Sequence, residues 1–423
     1  MKKIFVCSII LLYSISIEAY HFNYISTNIG IRSSGLGGAY TSVKDDLNYN
    51  YANPAGIDFE NIFTISSAYK FPKNVKSRYN FDIETKKEKE IEIISLSYTY
   101  KKINFGFLYS PIYDFNINYG SMQRRNNLGE DMGTFTASER TKITKKSIPI
   151  RYQLSNKIIF GLEISMLELT NKNMISQYYA SGSDKIYNFG AGILFKPDLK
   201  NNIGFSIFNK SKFNYKLVFI SQPDYQKDEL PLNINFGYSR QSYFSDNLTY
   251  LISFDLSYEK WSNDYQNNNI INFKQGNELK IRSGNIINKF RIGFYTKNSP
   301  SKFDAVIYDD RMKETLIQFS LGYGLELKLN DKNNLFLDLS YEDNLNNALN
   351  KEKTFKVGLG YNFGNIKLYN INDDKKEKVQ NIKQEISNSE KINKSDFIYC
   401  HNCGFKLLLN SKFCSKCGAK IIE

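Results

Sequence analysis

Four cysteines near the end of the printed sequence have the types and spacing most specific for chemistry. They form two C-x2-C pairs, Cys400/Cys403 and Cys414/Cys417, with ten residues between the pairs. Four thiolates at this spacing can close a tetrahedron around Zn(II), and a glycine after each pair permits the turn that directs backbone N–H groups toward sulfur. Closed coordination leaves no open position for a substrate, so we expect a structural Zn(II) at these four residues and no catalysis there.

Two other chemistries remain open for these cysteines. An exported chain meets an oxidising compartment, in which four thiols can form two disulfides, and four thiolates can also hold iron. The segment 397–423 resembles a short zinc ribbon of the rubredoxin-knuckle type over about residues 398–421. The resemblance implies a domain whose small core needs its metal to fold.

The start of the chain predicts export. Lys2 and Lys3 precede an apolar run over about residues 4–17, and the small residue Ala19 follows. This order is typical of a secretory signal peptide, so we expect residues 1–19 to be removed. The apolar run is too short to anchor the chain as a membrane-spanning helix.

The net charge of the chain indicates which classes of molecule it would bind. The formal net charge is +13, and it becomes +12 once the signal peptide is removed with its two lysines and one glutamate. A basic surface suits outer-membrane lipids and lipopolysaccharide, which are anionic. We expect no nucleic-acid partner, because the charges are scattered through the predicted loops of an exported chain.

The middle of the chain alternates apolar and polar residues with a period of two. In one such stretch Tyr250, Ile252 and Phe254 face one way, and Ser253 and Asp255 face the other. A strand with this pattern buries one face and wets the other. The predicted strands cover about residues 62–70, 91–100, 103–110, 147–154, 157–167, 186–196, 203–220, 232–240, 248–259, 276–283, 288–296, 315–330, 333–342 and 354–363.

The connections between these strands favour one all-β architecture. A soluble sandwich or propeller shares the alternation, but connections that alternate long and short are typical of an outer-membrane β-barrel with a polar lumen. We therefore expect an antiparallel transmembrane β-barrel of about 14 strands. An even number of strands returns the C-terminus to the side of the N-terminus, which is the periplasm for an exported chain.

The sequence specifies two strands and two loops of this barrel less clearly than the rest. The count treats 203–220 as one long strand with a bulge near residues 209–212; splitting it and discarding the weak strand 276–283 also gives an even number. Residues 71–90 and 111–146 are predicted to be long, basic loops that meet lipopolysaccharide or stay solvated.

The predicted lumen is mostly Ser, Gly, Asn, Asp and Glu, as at Gly161, Glu163 and Gly190. We interpret this as water-lined packing inside a plugged barrel, and a specific ligand groove is the alternative. The two histidines of the chain, His21 and His401, lie outside every predicted strand. A Ser-His hydrolase in the barrel is therefore excluded, and we expect the protein not to be an enzyme.

The segment before the first strand, residues 28–57, is rich in turn-forming residues. Its glycines allow close backbone approach and positive φ, which a compact plug inside a barrel requires. Its Asn-Pro-Ala-Gly sequence at 53–56 favours a turn, because proline restricts the preceding residue. The residues that make up the pattern of this segment are Gly35, Gly37, Gly38, Asp45, Asp46, Asn53, Pro54, Ala55 and Gly56.

These glycines, the paired aspartates and the Asn-Pro-Ala-Gly turn resemble, over about 30 residues, the N-terminal signature of the FadL-like outer-membrane proteins. The PorV/PorQ branch is the most similar, although Lys44 and Ile57 stand where the family usually has Ala and Leu. The resemblance implies a 14-stranded barrel plugged by an N-terminal hatch. By the same resemblance Asn53, Pro54 and Ala55 lie in the hatch, and Gly35, Gly37 and Gly38 lie in the turn before it. FadL-type members pass long-chain fatty acids or other hydrophobic molecules through the barrel wall, whereas PorV-type members serve a secretion system.

We therefore expect five regions. They are a signal peptide at 1–19, a hatch at 20–58, a barrel at 59–364, a charged linker at 365–396 and a zinc ribbon at 397–423. The expected function is transport of a hydrophobic small molecule across the outer membrane. The alternative is a PorV-like secretion or scaffolding component that binds a periplasmic partner through its ribbon.

Overall fold

The structure is a computed structural model of the chain, and contacts divide it into two units, Met1–Ile366 and Lys367–Glu423. It describes residues 29–44, 51–57, 62–72, 75–78, 82–85, 89–125, 131–175, 178–219, 222–261, 269–297, 316–330, 333–344, 353–364, 397–400, 402–404, 406–408, 413 and 416–420. The expected signal peptide, Asp45, Asp46, the expected linker and Cys414 therefore lie outside the described residues.

Fourteen antiparallel strands of the first unit form a closed barrel, as the alternation predicted. In chain order they are β1 (Phe63–Pro72), β4 (Glu90–Tyr100), β5 (Ile103–Arg125), β6 (Asp131–Gln153), β7 (Ile158–Ile175), β8 (Tyr178–Phe195), β9 (Asn201–Phe208), β12 (Leu232–Ser245), β13 (Leu248–Lys260), β14 (Ile270–Ser283), β15 (Ile286–Lys297), β16 (Leu316–Asn330), β17 (Asn333–Asn344) and β18 (Lys353–Phe363). Each pairs with its neighbour in this order, and β18 pairs with β1 to close the ring.

Four short or separate hairpin strands complete the first unit. They are β2 (Val75–Arg78), β3 (Asp82–Thr85), β10 (Ser211–Phe219) and β11 (Gln222–Leu230). The hairpin β2–β3 joins the edge of β5, and the hairpin β10–β11 forms a sheet of its own.

The alternation of each wall strand sets the two surfaces of the barrel. Outward-facing apolar side chains on different strands are between 41% and 63% exposed, for example Phe107, Leu162, Phe189, Leu256 and Leu359. Their neighbours along each strand are buried inside. A continuous exposed apolar band of this kind suits a lipid environment and not water.

The prediction of a long loop at 111–146 is wrong. The strands β5 and β6 continue through this region and pair with each other as far as Arg125 and Asp131. The charged residues that favoured a loop form cross-strand ion pairs, such as Arg140 with Asp114 at 3.1 Å. The segment 71–90 likewise contains the hairpin β2–β3.

The prediction of one bulged strand at 203–220 is also wrong, although the weak strand 276–283 is confirmed as part of β14. The chain leaves the wall at Asn209, whose side-chain Oδ1 accepts a hydrogen bond from the Phe189 backbone N–H at 2.5 Å. Asn188 then holds the departing chain by donating to the Asn209 carbonyl and to Ser211 Oγ, both at 2.7 Å. The count of fourteen survives because β10 pairs with β11 and not with the wall.

The hatch contains one short helix, α1 (Ile31–Gly35). A Schellman motif ends it, in which the Gly38 N–H bonds the Ser33 carbonyl and the Gly37 N–H bonds the Ser34 carbonyl. Gly37 and Gly38 have φ of 60° and 74°, a conformation that L side chains rarely adopt. Within the described part of the chain, no helix is long and apolar enough to span a bilayer.

Candidate transport pathway and metal site

The hatch packs against glycines that face the lumen from the barrel wall. A Cβ at most of these positions would overlap the hatch backbone or the Asn53 side chain, and at Gly237 it would overlap the Asp255 carboxylate and Thr41 Cβ. Only glycine therefore lets the segment approach this closely. Three cross-strand pairs lie in register around the wall. The members are Gly161 and Gly192 against Asn53 and Pro54, Gly204 and Gly237 against Thr41, and Gly276 and Gly293 against Leu36.

This glycine track was missed at the sequence level. The prediction treated Gly161 and its neighbours as water-lined packing, whereas they receive the hatch. The signal was present, because each of these glycines occupies a polar-phase position of an alternating strand where a Ser or Asn would otherwise stand. Recognising it required the register between strands, which alternation alone does not fix.

The Asn-Pro-Ala turn is the most completely bonded part of the hatch. Asn53 is fully buried, and its Nδ2 donates to the Thr41 carbonyl at 2.8 Å and to the Ile193 carbonyl of β8 at 3.1 Å. Its Oδ1 accepts from the Ala55 N–H at 2.9 Å, and its carbonyl accepts from the Gly56 N–H at 3.0 Å. Asn53 therefore closes the turn on itself and fastens it to the wall.

Charged wall residues hold the hatch at three further points. Arg151 of β6 donates from Nε to the Pro54 carbonyl and from Nη1 to Asn104 Oδ1 at 2.7 Å. Asp255 of β13 accepts from the Tyr40 and Thr41 N–H groups, both at 2.7 Å.

The third point is the helix α1. Arg32 makes a bidentate pair with Glu278 of β14 at 2.9 and 3.0 Å. Glu278 also accepts from Arg291 at 2.7 Å, and Arg291 pairs with Asp338 of β17 at 2.5 Å. The hatch is thus docked by buried charge pairs, which are costly to break one partner at a time.

A cluster of buried apolar side chains packs on the side of the lumen lined by β4 to β7, and we call this apolar region the chamber. The buried positions of the described wall strands are mostly polar, as predicted, and this cluster is an apolar exception that the prediction did not contain. The chamber is bounded by the start of the hatch, by wall strands and by the hairpin β10–β11. Its buried members are Ile29, Ile31, Ala68, Ile93, Leu108, Ile112, Tyr113, Ile143, Leu167, Leu169, Phe213, Tyr215 and Leu217.

Aromatic rings and one ion pair form the hatch end of this chamber. Tyr51 packs against the chamber and stacks on Phe208 with ring centroids 6.4 Å apart. Lys145 lies over both rings, with Nζ 4.3 Å from the Tyr51 centroid, and is paired with Glu163. Burial raises the pKa of Tyr51 above its usual value, so the ring stays a neutral phenol.

The wall beside the chamber contains a seam between β4 and β5. Their ladder runs from Tyr100–Ile103 only as far as Ile94–Tyr109. Pro111 follows and has no N–H to donate, which ends the ladder. Among the described residues, the next partner of β5 on this side is β3, at Ile117 and Asn118.

Side chains, not backbone bonds, close the seam. Ser110 Oγ donates to the Glu92 carbonyl at 2.7 Å, and Glu90 of β4 pairs with Lys142 of β6 across β5. The chamber residues Ile93 and Ile112 flank the seam and are 0% and 1% exposed. The seam therefore lies between this apolar region and the outer, lipid-facing surface of the wall.

The second unit carries the cysteine site. The strands β19 (Phe397–Tyr399) and β20 (Lys406–Leu408) pair, and the Sγ atoms of Cys400, Cys403 and Cys417 lie within 4.8 Å of one another. The Sγ atoms of Cys400 and Cys417 are 3.6 Å apart. Sulfur atoms around a tetrahedral zinc with Zn–S of about 2.3 Å lie about 3.8 Å apart, whereas a disulfide requires about 2.05 Å.

The turn geometry of the ribbon fits the same metal. The Gly404 N–H donates to the Cys400 carbonyl at 2.8 Å, and Gly404 and Gly418 have φ of 66° and 71°. These are the positions after Cys403 and Cys417 at which the sequence predicted a tight turn. The three described cysteines fit Zn(II), and they would hold it with Cys414 as the expected fourth ligand.

Comparison with known proteins supports both units. A family model described as a zinc-ribbon domain matches residues 399–421. No curated protein matches the chain in sequence. The barrel is similar in fold to several solved outer-membrane transporters.

Three of these illustrate the likeness. The toluene transporter TbuX of Ralstonia pickettii is 12% identical with a TM-score of 0.55, and the match covers 80% of this chain and 99% of TbuX. The toluene transporter TodX of Pseudomonas putida is 12% identical with a TM-score of 0.51, covering 79% and 97%. A FadL homologue of Pseudomonas aeruginosa is 12% identical with a TM-score of 0.51, covering 81% and 99%. At this identity the likeness shows a FadL-like fold.

Proposed function

We propose that this protein is an outer-membrane channel that admits small hydrophobic molecules and releases them sideways through its wall. The observation that carries the proposal is the cluster of buried apolar side chains inside the barrel, which lies directly behind the seam where the β4–β5 ladder has ended. The solved barrels of similar fold that are described as toluene transporters support the same class of cargo. Hydrocarbons and long-chain fatty acids are both hydrophobic enough to occupy such a chamber.

The route of the cargo follows from the position of the chamber between the lumen and the seam in the wall. The hatch fills the lumen beside the chamber and is fixed by buried charges, so straight passage along the barrel axis is blocked while it is docked. The seam offers a shorter path, because cargo that passes between Ile93 and Ile112 reaches the apolar band of the wall. We place both chain termini in the periplasm and the long connections outside, in contact with lipopolysaccharide.

A pair of substitutions tests this route. Ile112→Asn puts an amide into the chamber at the seam, and Ile287→Asn makes the same change at a lumen-facing residue of β15 that is also 1% exposed but lies outside the chamber. An apolar cargo that passes this amide leaves it without a hydrogen-bond partner, which costs about 1–3 kcal/mol. Passage past Ile112→Asn should therefore be about 5- to 150-fold slower.

The assay is uptake of radiolabelled toluene and of a long-chain fatty acid by Gram-negative cells that produce each variant at equal levels of folded barrel. Uptake should fall toward that of cells without the protein for Ile112→Asn and stay near wild type for Ile287→Asn. Equal uptake by cells with and without the wild-type protein would contradict the proposal. Whichever cargo responds identifies the substrate.

The ribbon supports a second role. Tyr399 and Phe413 are 68% and 61% exposed on this small domain, and exposed aromatic rings are enriched at protein interfaces. We propose that the ribbon, with structural Zn(II), binds a periplasmic protein, as the PorV-like alternative requires. Deletion of residues 397–423 should abolish a partner cross-linked through the ribbon and leave the barrel inserted. A partner that is retained after the deletion would contradict this role.

A further inference from the structure

We propose that a buried lysine, Lys356 of β18, couples the position of the hatch to the closure of the seam. The proposal deepens the proposed function by naming the residues that would regulate its exit. It concerns the conformation of the protein alone, so it can fail or hold whether or not cargo is ever transported.

Lys356 bonds the hatch and the wall at once. It is 2% exposed, and its Nζ donates to Ser34 Oγ of α1 at 2.5 Å. The same Nζ lies 2.6 Å from Glu92 Oε1 of β4 and 3.3 Å from Glu342 Oε2 of β17. Lys356 therefore donates a hydrogen bond to the hatch and makes ion pairs with one carboxylate on each of two wall strands.

Glu92 is the residue through which the wall contact reaches the seam. It forms a bulge in the ladder between β1 and β4, because Ala68 pairs with Ile93 and Tyr69 pairs with Ile91. Its carbonyl accepts from Ser110 Oγ, the last bond between β4 and β5 before Pro111. The side chain of Glu92 thus holds the hatch through Lys356, and its backbone holds the edge of β5.

The third partner lowers the cost of breaking this link on the side of the lysine. Removing one partner of a buried ion pair is destabilising because it leaves a buried charge without compensation. When Glu92 separates from Lys356, Glu342 remains as the counter-ion of the lysine. A displaced Ser34 and a released Glu92 therefore form a second arrangement of the same groups, and each change favours the other.

A second buried lysine provides a matched control. Lys289 of β15 pairs with Glu326 of β16 at 2.9 Å, which joins two neighbouring wall strands. Glu92→Met and Glu326→Met each remove a buried carboxylate from a lysine and keep the volume of the side chain. Only the first change breaks the link between hatch and seam.

The experiment is amide hydrogen exchange on the purified full chain in lipid nanodiscs, without cargo. Glu92→Met should speed exchange about tenfold or more both at the end of the ladder that borders the seam, residues 106–109, and at the hatch helix with the turn after it, residues 31–38, since losing one partner of a buried ion pair is costly. Glu326→Met should leave both regions at the wild-type rate. Faster exchange at the seam alone, or the same change in both variants, would overturn the coupling.

A milder variant starts from the other end of the link. Ser34→Ala removes one hydroxyl from the hatch and should speed exchange at the seam, although the change lies on another element. The same substitution in a Glu92→Met background should have no further effect on the seam. An unchanged seam in Ser34→Ala, or an additive effect in the double variant, would show that hatch and seam open independently and would overturn the proposal.

Discussion

Replacing Gly276 with alanine should undock the hatch while leaving the barrel wall intact. A Cβ on Gly276 would lie 2.5 Å from the Leu36 carbonyl oxygen, 2.8 Å from its Cβ and 3.0 Å from its Cα. The hatch would have to move by about 0.9 Å, the difference between 2.5 Å and the 3.4 Å at which ordinary van der Waals contact begins. The wall cannot yield instead, because Gly276 pairs with strands on both sides.

The free-energy cost of Gly276→Ala follows from the kind of atom that must move. Two of the three close atoms belong to the hatch backbone, so a side-chain rotation cannot relieve the overlap. Forcing an extra methyl group into a packed interior typically costs about 1–3 kcal/mol, which lowers the docking equilibrium of the hatch by about 5- to 150-fold. Gly358→Ala is the control, because the only hatch atom among the nearest neighbours of its new Cβ is Cδ1 of Ile31, the flexible end of a side chain. The other two neighbours belong to the wall, the Ser67 carbonyl oxygen at 3.1 Å and Ala68 Cβ at 3.4 Å.

Amide exchange of residues 29–44 measures this docking. Gly276→Ala should accelerate exchange across these residues, Gly358→Ala should not, and both barrels should keep the heat-dependent gel mobility of a folded outer-membrane protein. If the hatch of Gly276→Ala exchanged as slowly as that of wild type, the close packing on the glycine track would be refuted. If the barrel itself unfolded, the assignment of the cost to the hatch would be wrong.

Three further predictions concern the turn, the seam and the ribbon. Asn53→Ala removes two donated bonds and one accepted bond, so residues 51–57 should become cleavable by protease in a barrel that remains folded; continued resistance would contradict the turn as an anchor. Pro111→Val restores one N–H at the seam, which is worth about 0.5–1.5 kcal/mol and should slow uptake about 2- to 10-fold, whereas Pro149→Val on β6 should leave uptake unchanged. Cys400→Ser should abolish the zinc content of the purified protein and unfold the ribbon, as judged by elemental analysis and proteolysis, and full zinc content in this variant would exclude the cysteine site.

Much of the wall could be predicted because its physics is local. Each strand alternates a lipid-facing and a lumen-facing residue, and that period is visible in one sequence without knowledge of its neighbours. Tight turns mark the ends of the strands, as at residues 284–285, where Gly284 has φ of 58°. The cysteine spacing of the ribbon is local in the same way.

The sequence-based predictions were wrong for features that depend on partners distant in sequence. The departure of the chain at Asn209 is decided by Asn188 and Phe189 on β8, which nothing near residue 209 reveals. The charged strands β5 and β6 resembled loops because the partners of their charges, such as Asp114 for Arg140, lie across the ladder. Once paired, these residues extend the sheet instead of ending it.

The candidate pathway was hidden for the same reason. Leu167 and Leu169 lie on the lumen-facing side of β7, the side that also carries Glu163 and Ser165. Taken alone, this strand therefore shows a polar face with two apolar exceptions. Only the closed ring brings those exceptions together with Ile112 and Ile143. The seam depends on Pro111 facing the bulge at Glu92, a register that single-strand patterns do not contain.

The most direct test of the channel is to locate a bound apolar molecule. Crystals of the full chain soaked in bromobenzene would carry an anomalous bromine signal, and we predict a peak between Ile93, Leu108 and Ile112, behind the seam. A peak confined to the outer surface of the barrel, or none inside a lumen that solvent can reach, would contradict the apolar chamber as the path of the cargo.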